Sequence, residues 1–258
     1  MIHKPFYEEL KQNYTLFKQL IKKSLEALDI LASLNIVHGD LKSENILIST
    51  KAEENTTKNQ NSGNSLRSLN SEQSLHSENS ETSIRMDKTK YSERNLDLKL
   101  IDFGSGFVLD RKMNVSISTP EYMSPELLQL LEEGIHSTQQ ISPFVNPWSF
   151  DVWSLGSIVL EICSGVPIWL SLKSRIHVNG RSIIGMGLFA VNGKSSQKIR
   201  AKQAQVVQNL HSYLKHYQCW MCKNPQYPLF LDLLSSLLHF NPKARISPAQ
   251  ALAHPFFE

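Results

Sequence analysis

Two short apolar runs, Ile46-Leu47-Ile48 and Leu98-Lys99-Leu100-Ile101, flank a stretch that cannot build a core, and this constrains the chain more than any other feature. Residues 50–94 are rich in Ser and Asn. Their seven basic and seven acidic residues cancel, and serine recurs at every third position from Ser62 to Ser83. Too little apolar area is available there to offset the ordering entropy, so the stretch is expected to be a disordered insertion. The two runs read as strands. The simplest way to bury both is to pair them as a hairpin across the insertion.

Ahead of the hairpin, Leu16, Leu20, Ser24, Ala27, Leu28 and Leu31 recur at three- and four-residue spacing, which predicts one helix over 13–34. Beyond it the chain reads as mostly helical. Val152–Ser164 is apolar on several sides, and Leu229–Phe240 is amphipathic. Ser247-Pro248-Ala249-Gln250 has the residues of a capped helix start, with the helix expected to reach His254-Pro255. The formal charge is +3 and no long basic block occurs, which argues against nucleic acid as a partner. The best membrane candidate, Val152–Ile168, contains Glu161, so no membrane partner is expected. Three cysteines are too few for a disulfide framework and point to a reducing compartment.

The chemistry is concentrated in His38-Gly39-Asp40-Leu41-Lys42-Ser43-Glu44-Asn45 before the first strand and Asp102-Phe103-Gly104 after the second. A hairpin would hold Asp40, Lys42, Asn45 and Asp102 at one edge. A carboxylate, a cation and hard oxygen ligands are the set that phosphoryl transfer needs. In this order the motifs resemble those of the eukaryotic protein kinase family. The resemblance continues in Thr119-Pro120-Glu121-Tyr122-Met123-Ser124-Pro125-Glu126, in Asp151-Val152-Trp153-Ser154-Leu155-Gly156, and in Asn241-Pro242-Lys243-Ala244-Arg245 with His254-Pro255-Phe256-Phe257.

The resemblance implies a mainly α fold with a small β-hairpin, the kinase-like large C-terminal lobe. Residues 1–258 would be a partial kinase domain carrying the insertion. It implies ATP and Mg²⁺ as cofactors and a protein substrate, with Asp40 as catalytic base and Lys42 on the transferred phosphate. Asn45 and Asp102 would hold the metal, and Leu47 would lie under the adenine. Thr119 would touch the catalytic loop and line the substrate groove, and Glu44 and Glu161 would bind a basic residue of the substrate. His38 and Phe103 would stack in an internal spine, Asp151 would brace the catalytic-loop backbone, and Glu126 would pair with Arg245. Lys42 points to Ser/Thr specificity, and the reducing compartment that the few cysteines suggest points to an intracellular, cytoplasmic or nuclear, setting.

Departures from the family pattern carry their own expectations. Only 37 residues precede His38, without a glycine-rich loop, a strand lysine or its helix glutamate, so the small N-terminal lobe is expected to be absent. A partner would then cover the apolar surface facing that lobe. The alternative is an impaired fragment acting as a scaffold or pseudokinase. Gly39 stands where many family members carry Arg, and Val115 where a phosphoacceptor often lies, so phosphorylation of this segment, at Ser116 or Ser118, is expected not to switch the protein. Ser124 for the usual Ala is expected to have little consequence. Small-molecule kinases also use His-Gly-Asp, but Lys42 and the 119–126 and 151–156 blocks belong to protein kinases. Ile184–Val191 imitates a glycine-rich loop in composition and reads as a surface hairpin. His211, His216, Cys219 and Cys222 have zinc-like spacing within what reads as helix packing.

Overall fold

The computed structural model describes residues 4–52, 94–113, 119, 121–135, 137–141, 145–146, 148–165, 173–178, 181–186 and 195–258. The predicted helix is α2 (Tyr14–Ser33), preceded by α1 (Lys4–Gln12). Asn13 separates them, and its side chain accepts the Leu16 N–H at 3.0 Å, supplying one of the partners that a helix start lacks. Leu16, Leu20, Ser24 and Leu28 are buried as the periodicity requires, together with Phe17, Ile21 and Leu25. That face meets α5 (Ser149–Ser164), α9 (Pro248–Leu252) and strand β3 (Arg94–Leu100).

Helix α5 is the centre of the core. Its residues are almost all buried, as expected for a helix that is apolar around its whole circumference. It ends at Gly165, whose φ of 78° lets its N–H fold back onto the Glu161 carbonyl at 2.7 Å. Helix α8 (Tyr227–Leu237) packs on α5. The contact is close at Gly156, where a Cβ would lie 2.8 Å from Leu238 Cδ2 and 3.2 Å from Leu237 Cβ. Gly156→Ala is therefore expected to overpack the α5–α8 contact and lower stability by about 1–3 kcal/mol, read by urea denaturation.

Two antiparallel ribbons sit beside α2. β2 (Ile46–Ala52) pairs with β3 from Ile46↔Leu100 to Ala52↔Arg94. β1 (Ile36–Val37) pairs with β4 (Phe107–Val108) as Ile36↔Val108 and Val37↔Phe107. The strands are longer than the apolar runs suggest: Thr50, Lys51, Ala52 and Arg94, assigned to the insertion, belong to the ladder, because its bonds are made by the backbone and do not require apolar side chains. The rest of the insertion lies outside the described residues. Ile101, read as a strand residue, follows the end of β3.

The remaining elements are α3 (Pro125–Glu132), α4 (Thr138–Ile141), α6 (Ser195–Gln208), α7 (Leu210–His216) and a hairpin of β5 (Lys173–Val178) and β6 (Arg181–Met186). Ile184–Met186, the start of the glycine-rich imitation, is thus the end of a strand paired with β5; Gly187–Val191 lie outside the described residues. The capping box at Ser247 is present, with both bonds to Gln250 made at 3.0 and 3.2 Å. Its helix ends at Leu252 rather than at 254–255. His254 Nδ1 accepts the Phe256 N–H at 3.1 Å and starts a separate 3₁₀ turn, Pro255–Phe257.

Candidate active site

The ribbon pairing brings two loops together. Residues 38–45 run from β1 to β2, and residues 101–106 run from β3 to β4. Since β1 pairs with β4 and β2 with β3, both loops bridge the same two ribbons and must lie side by side. Direct bonds join them. The Ile101 N–H donates to the Asn45 carbonyl at 3.0 Å, and His38 Nε2 donates to the Ile101 carbonyl at 2.9 Å. His38 Nδ1 faces the Asp40 N–H at 3.4 Å, so the ring hydrogen is assigned to Nε2 from its partners.

Glycine at position 39 has a geometric reason. Its φ is 77°, and a Cβ there would stand 2.5 Å from the Ser105 carbonyl oxygen. The residue at which the sequence departs from the family pattern is therefore one at which the facing loop leaves no room for a side chain. Gly39→Ala is expected to force Ser105 away and to lose at least about 1–2 kcal/mol through the left-handed backbone alone. Thermal denaturation would read it.

Asp151, at the start of α5, accepts the His38 N–H on Oδ2 at 2.7 Å and the Gly39 N–H on Oδ1 at 3.1 Å. Burial pushes its carboxyl above the ordinary value, against the opposing effect of those two N–H groups and of the His38 ring. A buried helix thus holds the loop backbone from beneath.

Asp40 is gripped at both oxygens. Lys42 Nζ lies 2.6 Å from Oδ2, and the Thr119 N–H donates to Oδ1 at 2.9 Å. Lys42 also donates to Thr119 Oγ1 at 3.2 Å. Burial alone would raise the Asp40 carboxyl, but the bonds from Lys42 and Thr119 outweigh it and hold the group below its ordinary value. Asp40, Lys42 and Thr119, separated by 79 positions in sequence, form one cluster.

Asn45 is buried. Its Nδ2 donates to the Asp40 carbonyl at 2.9 Å, a bond that does not engage its side-chain oxygen. Asp102 is exposed, with φ of 63°; its Oδ1 takes the Gly104 N–H at 3.3 Å, so Oδ2 is not held by that bond. An amide oxygen and a carboxylate are hard donors suited to Mg²⁺, which characteristically takes one or two protein oxygens and fills its other positions with phosphate and water. The donor set therefore fits the cofactor that the motifs imply. Among the described residues no group of three or more His, Cys, Asp or Glu side chains could hold a metal, which removes the zinc reading of His211, His216, Cys219 and Cys222. His211 instead bonds the Tyr227 hydroxyl at 2.8 Å, and His216 packs edge-on against Tyr217.

His38 and Phe103 stack with ring centroids 4.6 Å apart. His38 is fully buried, whereas Phe103 is 44% exposed, so only the histidine side of the stack is internal. Leu47 (49% exposed) and Ile101 (37%) add to the apolar surface around these loops.

Behind the cluster, Arg245 forks onto Glu126 at 2.6 and 2.9 Å. It also donates to the carbonyls of His239 and Ser149 and lies over the Trp153 ring. Glu161 Oε2 accepts the Tyr122 hydroxyl at 2.6 Å, and Glu44 accepts from Ser43 Oγ at 3.1 Å. Glu44 and Glu161 thus already have partners within the chain.

Several contributors escape a reading by sequence alone. Tyr122 stands within a quoted motif, yet its bond to Glu161 is visible only in space. Ser154 Oγ donates to the Tyr122 carbonyl at 2.9 Å. Gln203 of α6, fully buried, donates to the Met123 carbonyl at 2.8 Å. Ser124 is more than a small filler: its hydroxyl accepts the Leu127 N–H at 3.3 Å at the start of α3. Ser124→Ala would remove a bond of the capping type. Val115, Ser116 and Ser118 lie outside the described residues.

The model of the protein kinase domain family matches residues 7–257. The chain is 26% identical to the dual specificity protein kinase lkh1 of Schizosaccharomyces pombe, over 96% of this chain and 32% of that protein. It is 23% identical to the dual specificity protein kinase CLK4 of Mus musculus, over 98% and 48%. With the mitogen-activated protein kinase HOG1 of Alternaria brassicicola it shares 31% identity over 63% and 41%. The loops, the family match and these similarities together define a protein kinase fold, and the chain belongs to the protein kinase family. It spans between about a third and a half of the length of these relatives.

Proposed function

We propose that this chain carries the large-lobe machinery for transfer of the terminal phosphoryl group of ATP to serine and threonine hydroxyls of proteins. The observation that carries the reading is the cluster in which Lys42 and Thr119 hold both oxygens of Asp40. Asp40, kept ionised, orients the acceptor hydroxyl and takes its proton as the new P–O bond forms. Lys42 sits where it can move from the carboxylate to the transferred phosphoryl oxygens. Thr119 fixes the distance between this pair and the acceptor chain. Asn45 and Asp102 would hold Mg²⁺, which supplies charge neutralisation on the nucleotide phosphates when bound. Leu47, Ile101 and Phe103 offer apolar surface for the adenine.

Glu44 and Glu161 would receive a basic residue of the substrate, Glu161 while it holds Tyr122. Positions for a glycine-rich loop, a strand lysine and its glutamate have no match among residues 1–37, so the reading has the upper half of the nucleotide cleft supplied by other residues. The three free thiols support a reducing, intracellular setting. Among the described residues no helix is long and apolar enough to cross a membrane.

The test is a nucleotide titration with and without Mg²⁺, followed by labelled-phosphate transfer to peptide arrays bearing Ser, Thr or Tyr acceptors. Mg²⁺-dependent binding with transfer to Ser and Thr supports the reading. Because two relatives are named dual specificity kinases, equal transfer to Tyr would widen the acceptor class. Mg²⁺-independent binding without transfer would favour the scaffold alternative. Indifference to Arg or Lys near the acceptor would remove the role given to Glu44 and Glu161.

A further inference from the structure

Far from these loops, three cysteines meet where the end of α5 faces the chain between α7 and α8. Cys163 belongs to the last turn of α5, while Cys219 caps the 3₁₀ turn Trp220–Lys223 and Cys222 lies within it. The Cys222 N–H donates to the Cys219 carbonyl at 3.1 Å. A turn closed in that way holds its end Cα atoms within about 7 Å. A disulfide spans about 4.4–6.8 Å between Cα atoms, so the backbone already has a compatible span. The side chains are neighbours as well: Cys163 and Cys222 are the two thiols close enough to act electrostatically on Cys219.

We propose that Cys219 and Cys222 form a reversible disulfide on exposure to a hydroperoxide, with Cys219 as the attacking sulfur and Cys222 as its resolving partner. Cys219 is the sulfur that its surroundings favour as a thiolate. The Cys163 thiol contributes most, and the N–H groups of Met221 and Cys222 add to it against the opposing effect of burial; together they bring Cys219 down to about 7. Burial raises Cys163 well above the ordinary value. Cys163 and Cys219 are equally buried, at 4% and 2% exposed, so access does not separate them, whereas charge does. Cys222, partly exposed, gives the cluster its opening to solvent.

The chemistry balances without any group beyond the peroxide. The Cys219 thiolate attacks one peroxide oxygen, the O–O bond breaks, and the departing oxygen takes a proton and leaves as water or an alcohol. The resulting sulfenic acid is attacked by the Cys222 sulfur. Its hydroxyl leaves with the Cys222 proton as water, and the S–S bond forms. Two thiols are oxidised by two electrons, and one peroxide is reduced. The proposal is independent of the phosphoryl-transfer reading and survives its failure.

The experiment uses the full chain, reduced and then treated with hydrogen peroxide, alkylated and digested with trypsin. Cleavage after Lys215 and Lys223 releases His216–Lys223, which contains both cysteines, whereas Cys163 falls in another peptide. The expected product is His216–Lys223 lighter by two hydrogens, without alkyl groups and restored by a thiol reductant. In the reduced chain at neutral pH, Cys219 is expected to alkylate about tenfold faster than Cys163, a difference that vanishes in denaturant. In Cys222→Ser, peroxide should leave a sulfenic acid on Cys219 that a dimedone reagent captures. A crosslink from Cys163 to His216–Lys223, or equal alkylation rates in the folded chain, would overturn the assignment. So would peroxide-treated peptide that still takes two alkyl groups.

Discussion

Asp40→Asn is expected to lower phosphoryl transfer by about 10²–10⁴-fold while leaving Mg²⁺-dependent nucleotide binding in place. The change keeps the shape of the side chain and removes its ability to accept the hydroxyl proton. It also replaces one oxygen facing Lys42 or Thr119 by an N–H donor, so a donor would meet a donor. The measurement is single-turnover transfer at saturating nucleotide, beside a binding isotherm. A variant that turns over at the parental rate would remove Asp40 from the role given to it.

The same variant has a signature in acid. Because the folded carboxyl lies below its ordinary value, its contribution to stability is fully present above the unfolded value and is lost as pH falls through the folded one. The stability gap between parent and variant should therefore narrow on acidification. A gap that stays constant from neutral pH to below the carboxylate range would mean that the bonds from Lys42 and Thr119 do not favour the charged form.

The largest loss of stability is expected at Arg245. This guanidinium is buried, and its partners are the Glu126 carboxylate and the carbonyls of Ser149 and His239. Arg245→Met leaves Glu126 without its cation and should lower stability by about 3–5 kcal/mol, enough to unfold a marginal domain. Adding Glu126→Leu should recover part of the loss, since no uncompensated charge remains. The double variant should still fall short of the parent by about 1–3 kcal/mol, because the two carbonyls lose their donor. Urea denaturation of the three proteins reads the series. A single variant within measurement error of the parent would show that the pair is architectural decoration.

The sequence announces elements whose burial is continuous and apolar. Helix α2 follows from one stripe, α5 from a strongly apolar stretch interrupted by few polar residues, and the β2–β3 ribbon from two short runs across a segment that cannot compete for the core. Helix α6 gives no such signal. Ile199, Gln203 and Val206 share its buried face at helical spacing, but the central member is an amide whose partner is the Met123 carbonyl, 80 positions away. A buried polar group paired with distant backbone looks like a surface residue when read in one dimension.

The site divides in the same way. Asp40, Lys42, Asn45 and Asp102 stand out because their order is distinctive, and the ribbon pairing gathers their loops. The resemblance implies that Thr119 touches the catalytic loop, but that it does so through its backbone N–H on Asp40 has no trace in residue identity. The reason for Gly39 is likewise three-dimensional: it lies in the approach of Ser105, whereas the sequence offers only a missing arginine. Ser124 was read as neutral because side-chain volume is visible in a sequence and a hydroxyl's acceptor geometry is not.

The antiparallel ladder from Ile46↔Leu100 to Ala52↔Arg94 sets the reacting loops at one end and the departure point of residues 53–93 at the other. Six steps of about 3.3 Å along the strand separate them by roughly 20 Å. A change of chain length at the far end is therefore expected to leave the loops at the near end in place. That makes the outer end of this ribbon the natural place to splice in a fluorophore-bearing loop or an affinity handle.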